Sequence, residues 1–335
     1  MERSRLKTPK EIRASKFGLH RDFIDAGFHE PYILSGYRKP YITALDCMKS
    51  TFVFSCNESF NILSHLIAFS YLAAKYGYVF TSELSLREPL HWPLFSLAVG
   101  MAGFCLMSAL AHMFNAMSPQ ARNRCFFLDY AAISIYTVGA GQSFYFYVRP
   151  LNALSTLFDS PNQFLYISIA TSFLSTTLCC ASRTKWHSVK YIIRTLAYVL
   201  PFFVNSFPYF YRLFTCDNEI DCDTTYWPLY LKHGLYHLLS AIANVTKFPE
   251  RFIPGKFDAL GQSHHLMHVL LPIGCDLKFE FLKHEMLLRK EHLTQHNIQP
   301  DAYNTLLLML VSIVVNVGIA LFINASPPEK KLKKK

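Results

Sequence analysis

Long apolar stretches follow one another along this chain, and they limit its fold more than any other feature of the sequence. A helix needs about 20 mostly apolar residues to cross a bilayer. Hydrophobic residues make up 51% of the 335 residues, which is too apolar for an ordinary soluble enzyme of this size. The sequence therefore predicts an all-α integral membrane protein, with spans near residues 59–81, 93–114, 126–148, 163–182, 189–210, 227–246, 258–281 and 303–325.

The chain is predicted to have four parts. The short connections between the first seven spans place those spans in one bundle. Residues 1–50 would form a cytoplasmic N-terminal arm, and residues 51–302 a single seven-helix bundle. Residues 303–325 would form an eighth span, which has no charged residue and is typical of a membrane anchor. Residues 326–335 would form a basic cytoplasmic tail. The seventh span is the weakest, because it contains several histidines and charged residues.

The distribution of positive charge predicts the orientation of the chain. Basic residues gather on the cytoplasmic side of membrane proteins. With eight spans, 23 of the 33 Lys and Arg residues lie on the side of the two termini, and 7 lie on the opposite side. Both termini are therefore predicted to be cytoplasmic. The net charge of +10 is explained by attraction to anionic lipid headgroups, because the basic residues flank the spans, and no nucleic-acid partner is expected.

Four ionisable residues on three separate spans are predicted to lie at one depth. His112 lies near the end of span two, Asp129 near the start of span three, and His264 and His268 near the start of span seven. The predicted topology places all four in the cytoplasmic half of the bilayer, where unpartnered ionisable groups are costly. His264 and His268 are four residues apart and so share one helix face. Three imidazoles and a carboxylate suit Zn²⁺, although a lone buried histidine is more often a packing residue.

Two further roles follow if these four residues form one site. Asp129 could be a direct ligand, or it could hold a metal-bound water and act as a base. Ser108, one helical turn before His112, could bond that water or an acyl oxygen. Zinc lowers the pKa of bound water to about 7, so the group could hydrolyse an amide or ester. His265 lies off the shared face and is not predicted to be a ligand.

Two other groups of residues allow alternatives that the sequence leaves open. Asn57, Glu58, Asn61 and His65 lie at the entrance of span one, where they could support the site or only cap a helix. Cys216 and Cys222 flank an acidic stretch in a predicted outer loop. They could form a disulfide in an oxidising lumen or remain two free thiols.

Several motifs give the chain a resemblance to the progestin and adipoQ receptor family, and in particular to its membrane progestin receptor branch. They recur in the family's order from about residue 30 to residue 290. The matching stretches are Gly36-Tyr-Arg38, Asn57-Glu-Ser-Phe-Asn61, Ser108-x3-His112, Phe127-Leu-Asp-Tyr130, Pro249-Glu-Arg251, Pro254-Gly-Lys-Phe-Asp258 and Ser263-His-His-Leu-Met-His268.

This resemblance implies a fold, a metal and a ligand class. The fold would be a seven-helix bundle of the adiponectin-receptor type with an eighth transmembrane helix. Zinc would be bound by His112, His264 and His268, with Asp129 and Ser108 around the metal-bound water. His265 departs from the family, which usually has Gln at that position.

The function implied by the resemblance is that of a receptor for a progestin-like steroid, signalling rapidly through partners such as G proteins. The zinc site supports an alternative, in which the protein is a ceramidase-like hydrolase of a sphingolipid amide and its product is the signal. The expected location is the plasma membrane. A pool in the endoplasmic reticulum is also expected, because the lysines of the tail resemble a dilysine retrieval signal, although they could equally be a stop-transfer flank of span eight.

Overall fold

The computed structural model describes residues 15–151, 158–186 and 188–325. The predicted basic tail and the first 14 residues of the arm lie outside this range. Within it, eight helices have 18 residues or more, and no β-strand is present. They are α1 (Ser59–Tyr78), α2 (Trp92–Phe114), α3 (Pro119–Val148), α4 (Pro161–Thr184), α5 (Lys190–Thr215), α6 (Trp227–Thr246), α7 (Ser263–Leu288) and α8 (Leu308–Ala325).

These helices occupy the predicted apolar stretches, but their ends differ. α3 begins at Pro119 rather than near residue 126, because the Ser118 side chain accepts a hydrogen bond from the Ala121 backbone amide and caps the helix. α7 begins at Ser263 rather than at residue 258 and continues to Leu288. Gly261 precedes the helix with a φ of 87°, which is not helical and prevents α7 from beginning earlier.

Three helical segments are long and apolar enough to cross a membrane by length and hydropathy alone. They are Pro89–Phe114, Pro161–Thr184 and Tyr303–Asn324. The other long helices carry more polar residues, and many of these point into the bundle. Asn205 of α5, for example, is buried and donates to the Thr137 carbonyl oxygen of α3 at 2.7 Å. Interior polar contacts of this kind lower the mean hydropathy of a helix that packs within a membrane protein.

Helix α3 lies at the centre of the bundle and approaches α2 closely. A Cβ atom added to Gly139 would lie 2.7 Å from the Leu97 backbone nitrogen, and one added to Gly100 would lie 2.8 Å from the Tyr136 Cα. These two glycines therefore allow the backbones of α2 and α3 to touch, as small residues do in membrane helix pairs. This contact fixes the position of α2, which carries His112, against α3, which carries Asp129.

Helix α8 is attached to the bundle by buried polar side chains. Asn316 is fully buried; its Oδ1 accepts from Thr176 of α4 at 2.6 Å, and its Nδ2 donates to Ser172 at 3.1 Å. Gln142 of α3 donates to the Thr305 carbonyl oxygen at 2.8 Å, just before α8. The eighth helix is thus packed against α3 and α4 by specific hydrogen bonds in addition to its apolar surface.

Buried ion pairs close the end of the bundle opposite to the histidines. Arg212 of α5 and Glu285 of α7 are fully buried and form an ion pair of 2.7 Å. Arg289 pairs with Asp221 at 2.5 Å. Asp221 lies inside the loop closed by a disulfide between Cys216 and Cys222, so the structure takes the bridged alternative of the two that the sequence left open.

The described part of the N-terminal arm covers the histidine end of the bundle. Asp258, in the segment before α7, accepts hydrogen bonds from the backbone amides of Leu34 and Ser35 at 3.1 and 2.6 Å. Glu30 of the arm pairs with Arg122 of α3 at 2.5 Å. These contacts hold the described part of the arm against the histidine end of the bundle.

Candidate metal centre

Three histidine side chains meet where α2 ends and α7 begins. The Nε2 atom of His264 lies 3.1 Å from Nε2 of His112 and 3.2 Å from Nε2 of His268. His112 and His268 are buried, and His264 is partly buried. The three side chains form a group whose ligand atoms are close enough together to hold one metal ion. The structure thus brings together the three histidines that the sequence proposed as ligands.

Helix α7 begins where it does because a buried carboxylate binds its first residue. Glu250 accepts hydrogen bonds from the backbone amide of Ser263, at 2.7 Å, and from the Ser263 hydroxyl. A negative charge at a helix N-terminus is also favoured by the helix dipole. This fixes the first turn of α7, from which His264 projects, and gives the Pro249-Glu-Arg251 motif a structural role.

The imidazole of His112 is oriented by a buried carboxylate. Its Nδ1 lies 2.7 Å from Oε2 of Glu58, just before α1. The same carboxylate accepts from Asn61 Nδ2 at 2.9 Å and from Asn115 Nδ2 at 2.8 Å. A carboxylate on the second ring nitrogen is the usual outer partner of a metal-binding histidine, because it leaves the other nitrogen free to bind metal. Of the two roles that the sequence allowed for Glu58, the geometry favours support of the site.

An arginine from the arm completes this network. Arg38 is buried; its Nη2 donates to the His112 carbonyl oxygen at 2.6 Å and to Asn115 Oδ1 at 2.7 Å, and its Nη1 donates to the Met113 carbonyl oxygen at 2.7 Å. Burial lowers the pKa of the Arg38 guanidinium, and the negative charge of Glu58 opposes that shift. Arg38 satisfies carbonyl groups at the end of α2 that would otherwise lack donors. Arg38 belongs to the Gly36-Tyr-Arg38 motif, but nothing in the sequence indicated this contact with α2.

The imidazole of His268 is held by α1. Its Nδ1 lies 3.2 Å from the Asn61 carbonyl oxygen, and its ring stacks on that of His65 with 3.8 Å between centroids. Neither ring nitrogen of His65 has a hydrogen-bond partner among the described residues. His65 therefore acts as a packing surface for His268.

Asp129 and Ser108 lie next to the histidines but outside their group. Asp129 and Ser108 are both buried. Oδ1 of Asp129 has no hydrogen-bond partner among the described residues. The close group of possible ligands contains the three histidines and not Asp129. This arrangement suits the prediction of contact through water better than direct ligation. His265 is also outside the group, because its Nδ1 accepts from the Gly261 amide at 3.1 Å.

A cavity of about 1650 Å³ extends from the histidines into the bundle between α3, α5, α6 and α7. His264 and Asp129 line one end of it, and Phe144 lines the part deeper in the bundle. Its lining also includes Lys247, whose pKa is lowered to about 8 by burial. The volume exceeds the usual 300–1,000 Å³ of a ligand pocket, so a sterol-sized or acyl-chain ligand would fit.

The donor set fits the zinc ion that the sequence implied. Three neutral imidazoles with a fourth position open to solvent or ligand are a known zinc arrangement. Three Nε2 atoms converge here, and two of the rings carry an oxygen acceptor on Nδ1, namely Glu58 for His112 and the Asn61 carbonyl for His268. Three imidazole nitrogens that converge in this way cannot all be satisfied by hydrogen bonds to one another, whereas a shared cation would be bound by all three.

The chain also matches a known protein family. Residues 54–277 match the family described as "Haemolysin-III related". The chain belongs to this family. The curated relatives agree with the resemblance to membrane progestin receptors that the motifs indicated. "Membrane progestin receptor gamma-B" of Danio rerio is 32% identical over 83% of this chain and 84% of its own length. "Membrane progestin receptor delta" of Homo sapiens is 33% identical over 74% of this chain and 73% of its own length.

Substitution of Glu58 by glutamine is expected to weaken zinc binding about 10- to 100-fold, as loss of an outer partner of a ligating histidine typically does. The amide keeps the size of the side chain but removes the negative charge from His112 Nδ1. The measurement is zinc release against a chelator of graded concentration. Glu219→Gln, at an exposed position between α5 and α6, is the control and should release zinc as the wild type does. Equal zinc affinity for Glu58→Gln and wild type would contradict this role.

Proposed function

We propose that this protein is a membrane receptor for a progestin-like steroid, with a zinc ion held by His112, His264 and His268 at the head of its ligand cavity. The observation that carries the proposal is the cavity that starts at His264 and runs into the bundle. The names of the relatives, membrane progestin receptors gamma and delta, supply the ligand class. The rapid signalling output would pass to cytoplasmic partners such as G proteins.

The proposed topology has eight spans with both termini in the cytoplasm. Support comes from the excess of Lys and Arg on that side of the chain and from the eight long helices at the predicted positions. In this orientation the arm and the histidines face the cytoplasm, which is where a signalling partner would act. The plasma membrane, with a pool in the endoplasmic reticulum, is the proposed location.

A ligand that partitions into lipid could enter the cavity from the side. Phe203 of α5 and Leu238 of α6 line the cavity, and they are 60% and 57% exposed. An opening between these helices would face the acyl chains of a bilayer. A steroid or sphingolipid could then reach the cavity without crossing water, which suits an apolar ligand.

One observation favours a second function, the hydrolysis of a lipid amide such as ceramide. The buried Asp129 has an unpartnered Oδ1 in the cavity wall beside the histidines. When bound, zinc would supply a Lewis acid and a water of lowered pKa. In that case Asp129 would take up and return the proton, and Ser108 would orient the carboxylate. The two functions are compatible if hydrolysis produces the signal.

Two assays on the purified protein separate these functions, and each is run on wild type and on His264→Ala. Saturable binding of radiolabelled progesterone without turnover of any lipid would support the receptor and contradict the hydrolase. Ceramide turnover that is lost in His264→Ala, without saturable progesterone binding, would support the hydrolase and contradict the steroid receptor. Loss of both in His264→Ala, with both present in wild type, would support a single zinc-dependent site.

A further inference from the structure

A buried lysine halfway along α7 has no role in the metal centre. Lys278 is only 5% exposed, and no carboxylate among the described residues lies within ion-pair distance of it. A charged side chain at the centre of a membrane helix costs about 2.5–3.5 kcal/mol on insertion scales. Such residues almost always face the bundle interior or a cavity and mark a functional site.

The contacts of Lys278 leave part of its hydrogen-bonding capacity unused. Its Nζ donates to the Tyr136 hydroxyl at 2.7 Å and lies 5.1 Å and 5.5 Å from the ring centroids of Tyr136 and Phe202. An ammonium group has three N–H donors, and only one is directed to an oxygen in the described structure. The two aromatic faces attract the charge but do not accept conventional hydrogen bonds.

A second lysine within the bundle, Lys75, differs from Lys278 because it has carboxylate partners. Lys75 of α1 lies 2.7 Å from both Asp276 and Glu280 of α7. Those two carboxylates flank Lys278 in sequence, but they point to α1. The acidic residues of α7 near Lys278 are therefore already paired elsewhere, and Lys278 faces the opposite side of the helix.

Lys278 and Tyr136 both line the cavity that starts at the histidines. Lys278 follows His268 by ten residues on the same helix, which corresponds to about 15 Å along the helix axis. Along its length the cavity therefore contains the histidine group and, deeper in the bundle, the Lys278–Tyr136 pair. Its wall between them includes Ile133 and Leu271.

We infer that the Lys278 ammonium donates a hydrogen bond to a carbonyl oxygen at the far end of the ligand, with Tyr136 holding the ammonium in place. The inference rests on the proposed steroid-binding function and specifies the ligand further, as an apolar molecule with a carbonyl group remote from the zinc end. A neutral carbonyl suits this depth better than a carboxylate, because an ion would lose far more hydration on entering an apolar cavity.

The test compares progesterone with pregnane, which has the same carbon skeleton without the ketones. Radiolabelled progesterone binding, and its competition by pregnane, are measured for wild type, Lys278→Met and Lys232→Met. Methionine keeps most of the length of the side chain and removes its donors. Lys232 lies on an exposed face of α6 outside the cavity, and its substitution should change neither affinity. Lys278→Met should weaken progesterone binding about 10- to 100-fold, as expected for a hydrogen bond from a charged donor, and leave pregnane affinity unchanged.

The melting temperature of the ligand-free protein distinguishes ligand binding from a structural role. Loss of a residue that is only structural would lower it. Removal of an uncompensated buried charge should leave the empty protein as stable as wild type or more stable. Equal loss of both ligands with a lower melting temperature would show that Lys278 is structural and would overturn the inference. Unchanged progesterone affinity in Lys278→Met would overturn it and leave the proposed function standing. A wild-type protein without saturable progesterone binding would overturn both.

Discussion

Replacement of His268 by alanine is expected to abolish stoichiometric zinc binding and to lower the melting temperature of the purified protein. The reason is that the histidine group joins the end of α2 to the start of α7, and a metal that binds only the folded state stabilises it by mass action. At a free zinc concentration 1,000 times the Kd, this stabilisation is about 4 kcal/mol. The measurements are zinc content per chain and the melting temperature with and without a chelator.

His265, which follows His264 in the sequence, offers a matched control. His265 lies on the same turn of α7 and is buried, but it is outside the histidine group. His265→Gln should retain zinc, and a chelator should lower its melting temperature as it does for wild type. The melting temperature of His268→Ala should already be low and should not respond to chelator. A His268→Ala protein that keeps one zinc ion per chain would show that the metal is bound elsewhere.

Replacement of Arg212 by methionine is expected to destabilise the protein by about 3–5 kcal/mol, because it leaves the fully buried Glu285 carboxylate without its cation. The effect arises from the uncompensated charge rather than from the strength of the pair. The double variant Arg212→Met/Glu285→Leu should therefore recover most of the lost stability. The measurement is the shift in melting temperature for the two single variants and the double variant.

An ion pair that is accessible to solvent, at the same end of the bundle, provides the comparison. Lys283 and Glu83 lie 2.5 Å apart, with 12% and 38% of their side chains exposed. Exposed ion pairs contribute at most about 1 kcal/mol, so Lys283→Met should cost little. If Arg212→Met were no more destabilising than Lys283→Met, or if the double variant were less stable than either single variant, the explanation from buried charge would be wrong.

The positions of the long helices and of the three metal-binding candidates could be predicted from the sequence, because both depend on local patterns. Apolar length fixes where a helix can cross a bilayer, and the charge of the loops fixes its direction. With those two constraints, His112, His264 and His268 fall at one depth. The four-residue spacing on α7 then places two of them on one face.

The surroundings of the histidines could not be predicted in the same way. Arg38 and Asn115 contact the site through the folded arm and the end of α2, and no periodicity links them to residues on α7. Glu250 caps α7 from a loop with irregular backbone. The sequence identified Lys278 only as a charge that weakened the seventh span. Only the packed helices show that it faces a cavity, while its acidic neighbours face Lys75.

The most direct test of the zinc site is X-ray absorption at the zinc edge of the purified protein. The account predicts one zinc ion per chain, bound by three imidazole nitrogens at about 2.0–2.1 Å with no sulfur ligand. His264→Ala should lose this signal. A spectrum with cysteine sulfur around the metal, fewer than three histidines, or no zinc in the wild-type protein would contradict the assignment of His112, His264 and His268 as the metal ligands.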